Sequence, residues 1–264
     1  MYNFNYHRPS SLADAAKTLQ SASEGKLVAG GMTLIPTLKQ RLAKPSDLID
    51  LAKIPDLKGI KKDGNTVVIG AMTKHVEVAT SDVVKSAIPA LAALAEHIGD
   101  PAVRNRGTIG GSIANNDPAA DYPSAVVALN ATVITSKRKI AAEEFFKGMF
   151  ETALEPGEII TAVQFPIPEK AAYMKFPNPA SRYAIVGVFV AKTGSGTRVA
   201  VTGAGPSVFR QKEMEAALAK SFAPDAVANI KVSPSGLNGD IHASPEYRAH
   251  LVTVMAKRAV AAAT

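Results

Sequence analysis

Apolar residues recur at helical and strand spacings near the start of the chain. Residues 12–19 place their apolar side chains on one helical face, and Ser11 precedes them as a helix-capping residue. The apolar run 26–29 predicts a short strand that stops at two glycines, and a second short helix follows it. Residues 47–51 predict another strand. Together these segments predict a small α/β unit with a strand–glycine–helix turn at its centre.

Beyond residue 57 the pattern changes to a mixture of strands and apolar helices. The predicted elements are a hairpin turning at 62–65, helices near 73–79, 88–97 and 123–130, and strands at 132–135 and 158–165. Residues 100–121 are polar and rich in glycine, with few strong helix formers. We therefore expect a long loop there, and long polar loops inside a compact domain are often functional.

The last part of the chain follows a third pattern. Short apolar strands at 171–176, 185–190 and 199–202 are separated by turn residues, which is typical of an antiparallel meander. Helices are expected near 212–219 and 246–263.

The overall pattern predicts an α+β fold with a domain boundary at Pro166 and Pro168. We expect a first domain over residues 1–168, with subdomains of about 1–56 and 57–168. A smaller α+β domain with an antiparallel sheet and helices is expected over 169–264.

Composition narrows the function classes. The 264 residues are 47% hydrophobic and 20% charged, which is ordinary globular composition. The absence of cysteine excludes disulfides, cysteine-ligated clusters and cysteine nucleophiles within this chain. The net charge is +7, but the basic residues are scattered and are not interleaved with aromatic residues, which disfavours nucleic-acid binding. No secretory signal is recognisable at the N-terminus, so we expect a cytoplasmic location.

Two glycine-containing segments are the candidates for chemistry. The first reads Ala29, Gly30, Gly31, Met32, Thr33 and Leu34. Glycines that follow a strand allow close approach to a ligand, and the following helix begins at the same point, so a pyrophosphate could be held by backbone N–H groups. The alternative is a tight strand-to-helix turn with no ligand, which is common for an isolated pair of glycines.

The second segment is longer and more polar. It contains Thr108, Gly110, Gly111, Ser112, Asn115, Asp117 and Asp121. Its glycines again suggest free backbone donors for an anion, and its two carboxylates could accept hydrogen bonds from sugar hydroxyls. A glycine-rich surface loop without a ligand is the alternative. Ser112 also sits in a loose variant of the nucleophile elbow, with His242 and His250 downstream, so a serine hydrolase is a distant alternative.

Both segments, in this order, resemble the FAD-binding medium subunits of the molybdenum hydroxylases, the family of xanthine dehydrogenase and carbon monoxide dehydrogenase. The resemblance also includes the opening residues 4–15 and the segment 240–248, and it extends over essentially the whole chain. It implies a two-subdomain, PCMH-like FAD-binding fold followed by a C-terminal flavoprotein domain.

The resemblance also implies which residues bind FAD. Residues 29–34 would hold the pyrophosphate, Thr108 to Ser112 would form the facing wall, and Asp121 would contact the sugar-like chain of the flavin. The expected cofactor-binding residues are Ala29, Gly30, Gly31, Met32, Thr33, Leu34, Thr108, Gly110, Gly111, Ser112, Asn115, Asp117, Asp121, Ile160 and Lys175. Neither glycine segment contains a histidine, so we expect the FAD to be non-covalent. No metal site and no catalytic acid or base is expected in this chain.

The implied role is electron transfer within a complex. An iron–sulfur small subunit with two clusters would deliver electrons to FAD, and a molybdopterin large subunit would oxidise the substrate. The expected assembly is a dimer of heterotrimers, a heterohexamer. Carbon monoxide, aldehydes, N-heterocycles and purines stay open as substrates, as does the final acceptor. The alternative is a stand-alone oxidoreductase module that binds FAD or a phosphate ligand.

Overall fold

The computed structural model describes residues 1–263, and it begins with a three-stranded parallel sheet. Its elements are β1 (Asn5–His7), α1 (Leu12–Ser21), β2 (Gly25–Val28), α2 (Leu34–Lys39) and β3 (Asp47–Asp50), with strand order β1-β3-β2. The Ser11 side chain accepts a hydrogen bond from the Asp14 N–H and so caps α1. Two short 3-10 turns, Leu51–Lys53 and Pro55–Leu57, lead out of this unit. The predicted α/β unit is therefore present.

The middle of the chain is built on a five-stranded antiparallel sheet with the order β4-β5-β10-β6-β7. The strands of this region are β4 (Ile60–Asp63), β5 (Thr66–Gly70), β6 (Thr132–Thr135), β7 (Lys139–Ala141), β8 (Phe146–Gly148), β9 (Glu151–Thr152) and β10 (Ile160–Pro166). The helices are α3 (His75–Thr80), α4 (Asp82–Ala87), α5 (Pro89–Glu96), α6 (Pro101–Arg104), α7 (Ile109–Asn115), α8 (Tyr122–Ala128) and α9 (Ala142–Phe145). Strands β8 and β9 form a separate two-stranded antiparallel sheet.

The third part is a four-stranded antiparallel sheet in sequential order. It contains β11 (Lys170–Pro177), β12 (Ala184–Thr193), β13 (Gly196–Thr202) and β14 (Phe209–Arg210), followed by α10 (Lys212–Lys220), α11 (Pro224–Val227) and α12 (Pro245–Ala262). One face of this sheet buries Val186 and Val188 against Val252 and other residues of the last helices. Within residues 1–263, no helix is both long and apolar enough to cross a membrane.

The opposite face of the C-terminal sheet shares a core with the middle of the chain. Tyr173, Phe189 and Ala200 belong to the same buried cluster as Phe165 and Tyr122. Because strands alternate their side chains between two faces, β11 to β13 can contribute to both cores at once. The C-terminal sheet therefore packs directly against the middle part of the chain.

The expectation of a long loop over residues 100–121 was wrong. The segment contains α6 and α7, and α7 includes two consecutive glycines. Ile109 and Ile113 of this helix are fully buried, and the side chain of Thr108 accepts a hydrogen bond from the Gly111 N–H. Tertiary burial and a good N-cap thus outweigh the low helix propensity of glycine.

Candidate functional site

A cavity of about 680 Å³ lies where the three parts of the chain meet. Its volume falls within the range of roughly 300–1,000 Å³ that is typical of ligand pockets. The walls come from the glycine turn after β2, from α7 and the segment that follows it, and from the start of β10. The loops before α6 and before β12 complete the enclosure.

The first wall is the glycine turn between β2 and α2. Gly31 has a φ of +73°, a backbone conformation that glycine adopts without strain. Within residues 1–263, the N–H groups of residues 30–34 donate no hydrogen bond to another protein group, although Gly31 accepts one from Ile35. A run of free N–H groups around a left-handed residue is a typical anion-binding nest. The turn therefore offers backbone donors to the cavity.

The second wall is α7, and its N–H groups are engaged within the protein. Gly110 donates to the Ala71 carbonyl at 2.9 Å, Gly111 donates to Thr108 Oγ1 at 3.1 Å, and Ser112 donates to the Thr108 carbonyl at 3.0 Å. The idea that these glycines free backbone donors for an anion was therefore wrong. Their donors are used to begin the helix.

The glycines instead allow close packing of the backbone: Gly30 lies against residues 106–107, and Gly110 lies against Ala71. A Cβ added at Gly110 would lie 2.6 Å from the Ala71 Cβ. A Cβ added at Gly30 would lie 2.7 Å from the Gly107 Cα and closer still to the carbonyl oxygen of Arg106. Both distances are far below ordinary carbon contacts of about 3.5–4.0 Å. The absence of side chains at these positions thus sets the width of the cavity.

Asp121 is the buried carboxylate of the cavity wall. Its Oδ1 accepts a hydrogen bond from the Tyr173 hydroxyl at 2.5 Å, and the Lys175 Nζ lies 3.0 Å from Oδ1 and 3.1 Å from Oδ2. Burial raises the pKa of Asp121, and the Lys175 ammonium and the Tyr173 hydroxyl counteract part of this increase. Lys175 also donates to the His97 carbonyl at 2.9 Å.

The structure gathers nearly all of the sequence-predicted residues around this cavity. Those on its lining are Ala29, Gly30, Gly31, Met32, Thr33, Leu34, Thr108, Gly110, Gly111, Ser112, Asn115, Asp117, Asp121 and Ile160. Lys175 is not part of the lining and instead reaches Asp121 from β11. Ile160 is almost fully buried next to a register irregularity between β10 and β6.

Several lining residues were missed by sequence reasoning. Among them are Ile98, Gly99, Asp100 and Val103 before and within α6, Ala180, Ser181, Arg182 and Tyr183 before β12, and His75. The turn before β12 is held by Asn178, whose side chain accepts from the N–H groups of Ala180 and Ser181. An asparagine followed by a proline is a turn signal that could have indicated this segment.

His75 is the histidine of the cavity lining. Burial, together with repulsion by the Arg104 guanidinium, lowers the pKa of His75 to about 4. Its Nδ1 is buried without a hydrogen-bond partner among the described residues. The imidazole therefore stays neutral at physiological pH, and it packs under Gly107, where a Cβ would lie 2.5 Å from Nε2.

The arrangement around Ser112 does not suit a serine nucleophile. Ser112 lies inside α7 rather than on a sharp turn between a strand and a helix. His242 lines a second, smaller cavity of about 300 Å³, and His250 lies within α12. Neither histidine forms a hydrogen bond with Ser112 within residues 1–263, so the geometry of the nucleophile elbow is not formed.

Comparison with protein families assigns both parts of the chain. Residues 2–168 match the family described as the FAD binding domain in molybdopterin dehydrogenase. Residues 171–263 match the family described as the CO dehydrogenase flavoprotein C-terminal domain.

Individual relatives are similar over almost their whole length. The carbon monoxide dehydrogenase medium chain of Hydrogenophaga pseudoflava is 36% identical, with 98% of this chain and 96% of the relative covered. The glyceraldehyde dehydrogenase medium chain of Sulfolobus acidocaldarius is 37% identical, with 97% and 96% covered. A solved structure of the Hydrogenophaga pseudoflava carbon monoxide dehydrogenase superposes with a TM-score of 0.92, covering 98% of this chain and 96% of that one.

Proposed function

This chain belongs to the molybdopterin dehydrogenase flavoproteins, the FAD subunits of the molybdenum hydroxylase family, and on that premise we propose that it is an electron-transfer subunit. It is an oxidoreductase subunit, as its relatives are. When bound, FAD would take electrons from the iron–sulfur clusters of a partner subunit and pass them to an external acceptor. The residues of this chain bind and orient the cofactor.

The free N–H groups of residues 30–34 are the observation that carries this proposal. They face a cavity of about 680 Å³, and they would hold the pyrophosphate without any charged side chain. Thr108, Gly110, Gly111 and Ser112 would form the facing wall, with Asn115 and Asp117 further along it.

The rest of the cavity suits the flavin end of the cofactor. Asp121 would accept hydrogen bonds from the hydroxyls of the sugar-like chain, and Ile160 would pack against the ring. Lys175 would act through Asp121, because its ammonium is bound to that carboxylate and lies off the lining. We propose that the FAD is non-covalent. Neither glycine segment carries a histidine, and His75 is enclosed against Tyr122 at a ring distance of 5.4 Å.

We further propose that this subunit works in a complex with an iron–sulfur small subunit and a molybdopterin large subunit, as a dimer of heterotrimers. The chain contains no cysteine, so clusters with cysteine ligands must lie in a partner. The substrate pocket would lie in the large subunit. Residues of this chain are accordingly compatible with carbon monoxide, aldehyde, N-heterocycle or purine oxidation. We retain the division into residues 1–168 and 169–264 as our proposed domain boundary.

The test begins with native purification of the chain, followed by denaturation and identification of any released ligand by absorbance and mass. We expect intact FAD at about one per chain, or uptake of FAD by the colourless protein. A protein that carries no FAD and takes none up would refute the proposal. Purification from its natural source separates the two roles: co-purifying iron–sulfur and molybdopterin subunits support the complex, and a solitary flavoprotein supports a stand-alone module.

A further inference from the structure

Tyr173 on β11 does not line the cavity, but it contacts Asp121, which does. Its side chain is buried, its ring stacks on Phe189 at a centroid distance of 6.2 Å, and its hydroxyl donates to Asp121 Oδ1 at 2.5 Å. This distance is typical of a charge-assisted O–H···O⁻ bond. On its other side the hydroxyl lies against Gly187 of β12, where a Cβ would overlap it. The absence of a side chain at Gly187 therefore leaves the space that the Tyr173 hydroxyl occupies.

The carboxylate that Tyr173 contacts is also surrounded by other titratable groups. Lys175 binds both of its oxygens from β11, and His97 lies at the end of α5, where its carbonyl accepts from the same lysine. Tyr122 follows Asp121 in the chain, and Tyr183 faces it from the turn before β12, where burial and the nearby carboxylates of Asp117 and Asp121 raise the tyrosine's pKa. Lys175 and Tyr173 are the groups that hydrogen-bond to the carboxylate side chain.

We propose that Tyr173 is a positioning residue for FAD, which holds the Asp121 carboxylate in one orientation. The inference rests on the proposed function, because Asp121 is the residue that would accept hydrogen bonds from the hydroxyls of the cofactor. Tyr173 and Lys175 both contact Oδ1 of Asp121. Among the described residues, Oδ2 accepts from Lys175 alone, which leaves it a further lone pair for a ligand in the cavity that Asp121 lines. Tyr173 itself is not among the residues that line the cavity.

Removal of the hydroxyl has two separable consequences. In Tyr173→Phe the carboxylate is held only by Lys175, so it can rotate and its hydrogen bonds to the cofactor weaken. Hydrogen bonds to charged groups are worth enough that we expect the Kd for FAD to rise about tenfold or more. Burial already raises the pKa of Asp121, and loss of a donor that lowers it raises it further. The acid limb of FAD binding should therefore move to higher pH.

Tyr122→Phe is a matched control. Tyr122 is also fully buried and adjacent to Asp121, but its hydroxyl has no hydrogen-bond partner within residues 1–263. Removing it deletes the same atom from the same neighbourhood without removing a hydrogen bond. We expect FAD affinity and its pH profile to stay at the wild-type values.

The experiment measures FAD binding to the full-length apoprotein by flavin fluorescence between pH 4.5 and 8, for wild type, Tyr173→Phe, Tyr122→Phe, Asp121→Asn and the double variant Tyr173→Phe/Asp121→Asn. Thermal melting of each apoprotein reports folding. If Tyr173 acts through Asp121, its loss should cost little further affinity once Asp121 is asparagine.

The outcomes are distinguishable. Weaker binding in Tyr173→Phe alone, with a shifted acid limb and a non-additive double variant, supports the proposal. Wild-type binding in Tyr173→Phe, additive effects, an equal loss in Tyr122→Phe, or an unfolded Tyr173→Phe protein would each overturn it. A folded wild-type apoprotein that binds no FAD would instead refute the proposed function itself.

Discussion

The contact between the glycine turn and the backbone just before α7 leads to the sharpest prediction, the effect of Gly30→Ala. The new Cβ would lie 2.7 Å from both the carbonyl carbon of Arg106 and the Cα of Gly107. These are backbone atoms, so no side chain can rotate away. Restoring ordinary contacts of about 3.5–4.0 Å requires the walls to separate by about 1 Å.

A separation of this size should weaken FAD binding strongly. A displacement of about 1 Å would stretch hydrogen bonds from the N–H groups of the turn beyond about 3.5 Å, and each hydrogen bond to a charged group is worth about 1.5–3 kcal/mol. We expect the Kd for FAD to rise about 100-fold, which corresponds to about 2.7 kcal/mol. Overpacking should also lower the free energy of unfolding by about 1–3 kcal/mol, and therefore the Tm by a few degrees.

The assay is titration of stripped protein with FAD, followed by quenching of flavin fluorescence, with thermal melting of the apoprotein in parallel. Gly194→Ala is the control, because a Cβ there has no atom within 4 Å and should change neither quantity. If Gly30→Ala bound FAD within threefold of wild type, the close approach of the walls would not determine the shape of the site.

Three further predictions concern stability. Burial would raise the pKa of Glu158, but hydrogen bonds, first among them those from Arg138, lower it to about 2; the ionised carboxylate therefore stabilises the fold above pH 4.5, and this contribution is lost as the pH falls toward 2. We expect it to be about 1–2 kcal/mol, because Arg138 is partly exposed, and Glu158→Gln should remove this part of the pH dependence in urea unfolding. Arg248→Met should cost about 2–4 kcal/mol in urea unfolding, because it removes a donor from the buried carbonyls of Ile185 and Gly203 and from Oδ2 of Asp240; a loss below 1 kcal/mol would contradict this. Phe150 has a φ of +57° and is exposed, so Phe150→Gly should raise the Tm by a few degrees, and a lower Tm would show that its side chain contributes more than the strain costs.

The glycine turn after β2 illustrates how far local pattern can predict this protein. The apolar run before Gly30, the glycine pair and the following helix are all features of neighbouring residues, and the structure has strand β2, the turn and α2 in those places. The hairpin of β4 and β5 and the meander of β11 to β13 were predicted for the same reason. Turn chemistry and side-chain periodicity act over a few residues, so they can be recognised in the sequence without knowledge of the tertiary structure.

The helix α7 shows where that reading fails. Its glycines lower helix propensity, so the sequence predicted a loop, yet the helix is stabilised by burial of Ile109 and Ile113 and by the contact of Gly110 with Ala71. These energies come from residues distant in the chain. The same packing engages the N–H groups at the start of α7, so the free backbone donors found at the cavity are those of residues 30–34.

The sequence by itself therefore determined the first α/β unit, the β4–β5 hairpin, the C-terminal meander and the two glycine segments that contribute to the cavity walls. Only the tertiary structure decided that Tyr173 and Lys175, 52 and 54 residues beyond Asp121, meet that carboxylate, and that the turn before β12 closes the cavity. The physical reason is range: backbone preferences and periodicity are local, whereas a cavity and the environment of a buried charge are created by contacts between segments that meet only when the whole core has formed.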